Sequence, residues 1–376
     1  MNISYIHGIC VKNDAISNSI RDEINWLNSE GNNVVRLYAH TCDYKDLPFN
    51  QVNSLRDVVF DNHFQSSELV VFHFGIYYPL FDLLYIVPKR AKRMVVFHNI
   101  THKEFITVEN HPTIDMSFKQ MANILFADHV VCVSQTNLNV LQAAGIQVPA
   151  TVLSLAVHIN VQAPEAKPSF TDGIVRLAFI GRFVSSKGPG ELLEALKILL
   201  QRNPAIHLRL DMVGNLSFSD SALLQEMGKT IVSLHKSFGE HLEITIHGNA
   251  SEQIKAKVLH DADLFVLPTY HEGFCVPILE ALASCCKIVT YNNSNTPAIS
   301  GGFAHLVPTG NVEALSSSIL EVIQKITSTD WYGKNADSYV EYKNRTSLYV
   351  RNFNPENTKR RFLKFIEKFV HLSSYP

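Results

Sequence analysis

Two stretches of the chain carry side chains whose types and spacing could do chemistry. In Gly181-Arg182-Phe183-Val184-Ser185-Ser186-Lys187-Gly188-Pro189-Gly190, two cations stand among glycines. Glycines let the backbone approach a ligand closely, their amides donate hydrogen bonds, and Arg182 and Lys187 add positive charge, which together is what a diphosphate requires. The same residues also suit a Gly/Pro-rich turn in which Pro189 starts a helix and the charges are solvated. The second stretch is Thr269-Tyr270-His271-Glu272-Gly273-Phe274-Cys275-Val276-Pro277-Ile278-Leu279-Glu280-Ala281-Leu282. Pro277 fits a first helical turn, so Glu272 falls in the loop and Glu280 on the helix behind it. Carboxylates accept paired hydrogen bonds from vicinal hydroxyls, and the amides at Gly273, Phe274 and Cys275 can meet phosphate or sugar oxygens. Spacing alone is met more simply by one acidic residue near a helix start and one solvated helix Glu.

Chemistry of this kind needs elements that hold the turns still. The first half alternates short apolar strands (Asn2–His7, Asn33–Tyr38, Leu69–His73, Arg93–His98, His129–Val133) with amphipathic helices, among them one from about Ala15 to Glu30. That alternation predicts a parallel sheet. The polar stretch Val161–Thr171, with Pro164 and Pro168 and with Gly173 just after it, reads as a linker. Beyond it the alternation restarts with Val175–Ile180, Leu208–Val213, Leu242–Ile246, Ala262–Pro268, Lys287–Tyr291 and His305–Val307. The expected fold class is α/β, with two Rossmann-like, doubly wound parallel-sheet domains over residues 1–165 and 166–355. A C-terminal helix in 356–376, basic on one side and carrying Phe362, Phe365, Ile366 and Phe369, is expected to pack back on the N-terminal domain. Both chemical stretches then follow strands, and Tyr5, His7 and Gly8 end the first strand, where open α/β sheets collect ligands.

Composition narrows the function classes. With 376 residues the chain is long enough for two domains, and two domains imply a cleft. A formal net charge of −2 with 33 Lys and Arg leaves no global basic field, which argues against a nucleic-acid partner. The 17 His are scattered without metal-site spacing, and no metal is expected. Asp261-Ala262-Asp263 resembles a metal-binding Asp-any-Asp motif, but it immediately precedes an apolar strand and reads as a turn cap. The six Cys, at 10, 42, 132, 275, 285 and 286, form no repeated framework, as in a reduced, cytoplasmic protein. The N-terminus runs straight into a strand, and no apolar run approaches the ~18 residues of a membrane span. A peripheral contact with the inner face of the cell membrane stays open.

The pair Glu272 and Glu280 in His-Glu-Gly-Phe-Cys-Val-Pro-Ile-Leu-Glu-Ala-Leu, with Gly181-Arg182 and Lys187-Gly188 upstream, resembles the GT-B glycosyltransferases of family four. Val213-Gly214, Ile246-His247-Gly248 and Ala262-Asp263-Leu264-Phe265-Val266 extend the match through the C-terminal half. His73-Phe74-Gly75, Val96-Phe97-His98-Asn99-Ile100-Thr101 and Asn13-Asp14-Ala15-Ile16-Ser17-Asn18 are similar to a bacterial surface-polysaccharide subgroup whose loop usually reads Gly-Asp-Ala-Ile-Gly-Asn. Here Asn13 and Ser17 replace both glycines, and His102 stands where the subgroup has Pro.

The resemblance implies two domains facing across a cleft and a retaining, metal-independent hexosyl-type transferase. It implies a donor linked to UDP or GDP, no cofactor, and a glycan or lipid-linked glycan acceptor of lipopolysaccharide or capsule synthesis. In that reading Arg182 and Lys187 neutralise the leaving diphosphate, Glu272 contacts the donor sugar, Glu280 holds the ribose and His98 lies near the reacting carbon. Gly181, Gly214, His247, Gly248, Gly273, Phe274, Cys275 and Val276 complete the donor site, and Gly8, Asp14, Ala15, His73, Asn99 and Ser134 the acceptor side. A nucleotide-sugar epimerase and a non-catalytic nucleotide-sugar-binding subunit of a polysaccharide assembly complex remain as alternatives. A nicotinamide oxidoreductase does not, because no complete Gly-x-Gly-x-x-Gly follows the first strand of either half.

Overall fold

The computed structural model describes residues 1–12, 14–159, 163–333 and 338–371. The chain forms two compact units: residues 1–103, 108–156 and 353–376 make the first, and 104–107 with 157–352 the second.

In the first unit the apolar runs become β1 (Asn2–Ile6), β2 (Ile9–Cys10), β3 (Val34–Ala39), β4 (Thr41–Cys42), β5 (Phe49–Gln51), β6 (Leu69–Phe74), β7 (Lys92–Phe97), β8 (His129–Cys132) and β9 (Ala150–Val152). Seven of them form a parallel sheet in the order β5-β3-β1-β6-β7-β8-β9, and β2 and β4 pair separately. Every residue of β6 is buried, as expected of a parallel strand covered on both faces. The helix Ala15–Ser29 starts at Asp14, whose carboxylate accepts from the Ser17 amide, and turns Ile20, Ile24 and Leu27 inward. Where an amphipathic α-helix was expected between β6 and β7, the chain forms the 3₁₀ run Pro79–Ile86. Pro79 and Pro88 bracket that segment and leave it too short for a cooperative α-helix. The helix Pro355–His371 belongs to this unit: Phe362 and Ile366 are buried, and the Phe362 ring lies 5.8 Å from that of Trp26.

The second unit contains β10 (Val175–Ile180), β11 (Leu208–Gly214), β12 (Leu242–Gly248), β13 (Leu264–Leu267), β14 (Lys287–Tyr291) and β15 (Ala304–Val307), all parallel, in the order β12-β11-β10-β13-β14-β15. The helix Pro189–Arg202 covers one face with Leu192, Leu193, Leu196, Leu199 and Leu200. Within the expected linker, Ser169–Asp172 is a short helix closed by Gly173 at φ 71°, while Val161 lies outside the described residues. Both sheets reverse their winding, between β1 and β6 in the first and between β10 and β13 in the second. At such reversals neighbouring crossovers leave to opposite faces and a crevice opens at the carboxyl ends of the strands. No helix among the described residues is long and apolar enough to cross a membrane.

One buried cation organises the start of the second unit. The Lys167 ammonium donates to the carbonyls of Leu259 (3.2 Å), His260 (2.8 Å) and Ser284 (2.6 Å), pinning the ends of two helices. Lys167→Met keeps the volume but strands these carbonyls, so urea unfolding should show a loss of about 2 kcal/mol or more.

Candidate functional site

The two chemical stretches follow β10 and β13, the strands that flank the winding reversal of the second sheet. Gly181 directly follows β10, its amide bonded to the Val213 carbonyl. Arg182 is exposed, and its guanidinium has no partner among the described residues. A 3₁₀ turn, Ser185–Lys187, ends on Gly188 at φ 65°, where a Cβ would stand 2.3 Å from the Pro268 carbonyl oxygen. Only glycine lets the loop after β10 lie against the loop after β13. Tyr270 N donates to the Ser186 carbonyl at 2.8 Å and the Thr269 hydroxyl to the same oxygen at 3.0 Å, stitching the loops together. Gly214 serves the same end, since a Cβ there would meet the Gly181 carbonyl at 2.4 Å.

This stitching sets the Lys187 ammonium 2.6 Å from Glu272 Oε1 and 3.4 Å from the His271 carbonyl. Both partners are largely buried, Glu272 at 8 % exposure. Cys275, at φ 79°, turns the chain into the helix Val276–Ala283, which has Pro277 in its first turn. Burial, and then the Glu272 carboxylate, push the Cys275 thiol well above its ordinary value, so it is a packed thiol and not a nucleophile. Phe274 is fixed through its carbonyl, which accepts from Asn295 Nδ2 at 2.8 Å. Glu280 is half-buried on the helix and accepts from Lys255 Nζ at 2.8 Å. Burial works to lower the Lys255 ammonium, but Glu280 and Glu252 outweigh it and hold it above its usual value. A small pocket beside this pair is lined by His158, Ile159, Lys255, Leu259 and Glu280.

The structure therefore brings Gly181, Lys187, Gly214, Glu272, Gly273, Phe274, Cys275 and Val276 to the loops at one reversal, with Glu280 on the helix behind. His247 and Gly248 stand on the edge strand β12, where His247 Nε2 is bonded to Asp211 at 2.7 Å and Gly248 abuts Leu216. Asp263 is buried beneath the sheet's other end, accepting from Ser169 and from the Arg176 amide. Lys255 escaped the sequence reading, being one Lys among several on a mixed helix. So did Glu191, whose carboxylate accepts from the hydroxyls of Tyr270 and Tyr291.

In the first unit the residues gather around β1, β6 and β7. His73 is fully buried between Glu23 (Nε2 to Oε2, 3.2 Å) and His98 (Nδ1 to Nε2, 3.0 Å). The His73 carbonyl takes the Nδ1 hydrogen of His7 at 3.1 Å, and Tyr5 donates to Glu23 at 3.1 Å. Burial, and then the neighbouring His73 ring, lower His7 to about 4 and push His98 well below the usual imidazole value. Both rings are neutral near pH 7. Gly8 leaves room for Tyr78, whose Cβ would be 3.1 Å from an added methyl, and Asn99 adopts φ 73° with its Oδ1 accepting from the Ile100 amide. Asp14 accepts from both the amide and the hydroxyl of Ser17 at 2.8 Å, and the same hydroxyl takes the Val11 amide at 3.0 Å. Ser17 thus closes the loop with a side chain that glycine lacks. Ala15 opens the helix after this loop, whereas Asn13 lies outside the described residues. Ser134 caps the helix Gln135–Ala143 by accepting from the Asn137 amide at 3.2 Å.

Two parallel-sheet units, each with candidate side chains at its winding reversal, define the GT-B class of glycosyltransferase fold. A solved GT-B protein, HepE of Anabaena in complex with UDP and glucose, aligns over 97 % of this chain and 99 % of its own with a TM-score of 0.73, at 14 % identity. Residues 165–339, the greater part of the second unit, match the family model of the glycosyl transferases group 1. A D-inositol 3-phosphate glycosyltransferase of Arthrobacter sp. is 30 % identical over 47 % of this chain and 40 % of its own length. The capsular polysaccharide biosynthesis glycosyltransferase CapM of Staphylococcus aureus is 23 % identical over 44 % of this chain and 41 % of its own. The matches span less than half the length of these curated relatives.

The neutral histidines carry a sign for acid stability. A folded-state value of about 4 against about 6.5 unfolded means that the unfolded chain binds more protons between these limits, so stability is full above about pH 6.5 and falls as the pH drops towards 4. His7 alone should contribute up to about 3 kcal/mol to that loss. Urea titrations across the range should slope less steeply in His7→Phe than in the parent chain.

Proposed function

We propose that the chain moves a sugar, with retention of configuration, from a UDP- or GDP-linked donor to a glycan or lipid-linked glycan acceptor in bacterial surface polysaccharide synthesis. The observation that carries this reading is the contact of Lys187 with Glu272 across two loops that also hold exposed Arg182. An ammonium paired with a carboxylate can change partners: the diphosphate takes Lys187 and Arg182, and Glu272 is released to accept from sugar hydroxyls. Glu280 stands behind with Lys255 as its counter-ion and accepts the two ribose hydroxyls. The UDP and glucose held by the Anabaena protein favour UDP as the base-linked leaving group, and the capsular relative supports the polysaccharide assignment.

The difficult step is separation of charge, with an oxocarbenium-like sugar beside a departing nucleoside diphosphate. Two preorganised cations stabilise the departing anion, a role that a metal fills in other transferases. In this reading Glu272, once released from Lys187, is engaged by sugar hydroxyls and is not the covalent nucleophile. The acceptor hydroxyl therefore attacks from the face the diphosphate leaves, and the departing phosphate oxygen takes its proton.

A thermal-shift screen of UDP-, GDP-, ADP- and dTDP-sugars should find stabilisation by one donor class, lost in Arg182→Ala and Glu280→Ala. With that donor, turnover should persist in a chelator and fall at least ~100-fold in Lys187→Ala, as for loss of an oxyanion donor. Proton NMR of the product should give the donor's anomeric coupling. An inverted anomer sinks the retaining mechanism.

A further inference from the structure

Glu23 sits on the helix Ala15–Ser29 at 6 % exposure and is saturated with donors: Ser19 Oγ on Oε1 at 2.9 Å, and Tyr5 Oη and His73 Nε2 on Oε2 at 3.1 and 3.2 Å. A carboxylate only accepts, so His73 Nε2 carries a hydrogen, and in the neutral ring Nδ1 is left with a lone pair. That lone pair faces His98 Nε2 at 3.0 Å, so His98 supplies the hydrogen and its own Nδ1 is the bare nitrogen. Ring geometry agrees. The centroids of His73 and His98 lie 5.2 Å apart with planes 26° from parallel, an edge-to-edge, nearly coplanar placement that an in-plane nitrogen contact needs and face stacking does not give. His98 is half-buried at the carboxyl end of β7, and its Nδ1 has no hydrogen-bond partner among the described residues.

We propose that Glu23 and His73 are positioning residues that lock His98 in the Nε2–H tautomer and so present its Nδ1 as a hydrogen-bond acceptor to a ligand hydroxyl. The hydroxyl is that of a sugar, which rests on the transferase reading above, whereas the lock itself does not. The relay aims an uncharged acceptor at a neutral polyol and leaves anion binding to the second unit. Sequence offers no hint of it, because Glu23, His73 and His98 are spread over 76 positions and Glu23 reads as one more polar residue on an amphipathic helix.

The test is the ring nitrogen spectrum of the full chain labelled with ¹⁵N-histidine, recorded by long-range ¹H–¹⁵N correlation at about pH 8, above the ordinary imidazole value. The expected result is a pyridine-like Nδ1 and pyrrole-like Nε2 for both His73 and His98, and a mixture of tautomers for His98 once His73→Phe or Glu23→Leu breaks the relay. A parent His98 that is mixed or protonated on Nδ1, or a doubly protonated His73, overturns the proposal, as does a His98 spectrum unchanged in His73→Phe. Should both variants fail to fold, the parent spectrum alone decides. No donor or acceptor is needed, so a donor screen that finds nothing leaves the lock standing, and a mixed tautomer leaves the donor assignment standing.

Discussion

Parallel pairing is the constraint from which the rest of the structure follows. When all strands of a sheet run the same way, every carboxyl end opens on one edge and every return crosses a face, so side chains remote in sequence are delivered to a common rim. Lys187 and Glu272, 85 positions apart, touch for that reason. The rim is crowded as a result. Gly188 and Gly214 stand where a methyl group would strike the neighbouring backbone, and their absence of side chain sets how closely the loops after β10, β11 and β13 can approach.

The two rims differ in charge. In the second unit each carboxylate has its own ammonium, Glu272 with Lys187 and Glu280 with Lys255, and such pairing avoids the cost of an uncompensated buried charge before any ligand arrives. In the first unit the equivalent positions hold His7 and His98, both kept neutral by burial and then by the neighbouring His73 ring. One rim can exchange ion partners; the other can only trade hydrogen bonds. In the proposed transfer, that difference would match a donor with a charged leaving group and an acceptor whose reacting group is a hydroxyl.

Much of the frame was legible in the sequence because buried parallel strands are apolar runs: β6, β10 and β14 lie within a residue of where those runs fall, and β13 within two. The stretches at Gly181 and Glu272 were legible because turn chemistry is local. What escaped depends on contacts between distant elements. Lys255 gains meaning only when the helix Glu252–Asp261 is laid beside Glu280, and Glu191 only when Tyr270 and Tyr291 close over it. Short edge strands such as β5 and β9, with no fully buried residue, leave no apolar run to read. Ser17 was read as an eroded glycine, yet its hydroxyl bridges Asp14 and Val11, a role visible only once the loop is closed.

The helix Pro355–His371 has a consequence for how the chain is made. Its Phe362 and Ile366 complete the core against Trp26 and the helix Ala15–Ser29, and Lys359 reaches Ser29 Oγ at 2.9 Å. The first unit to leave the ribosome is thus finished by residues that emerge after the whole second unit. During synthesis residues 1–156 must wait with an uncovered apolar face while some two hundred further residues are added. Within this chain the earlier unit is completed only after the later one has been made, the reverse of the usual N-terminal-first order.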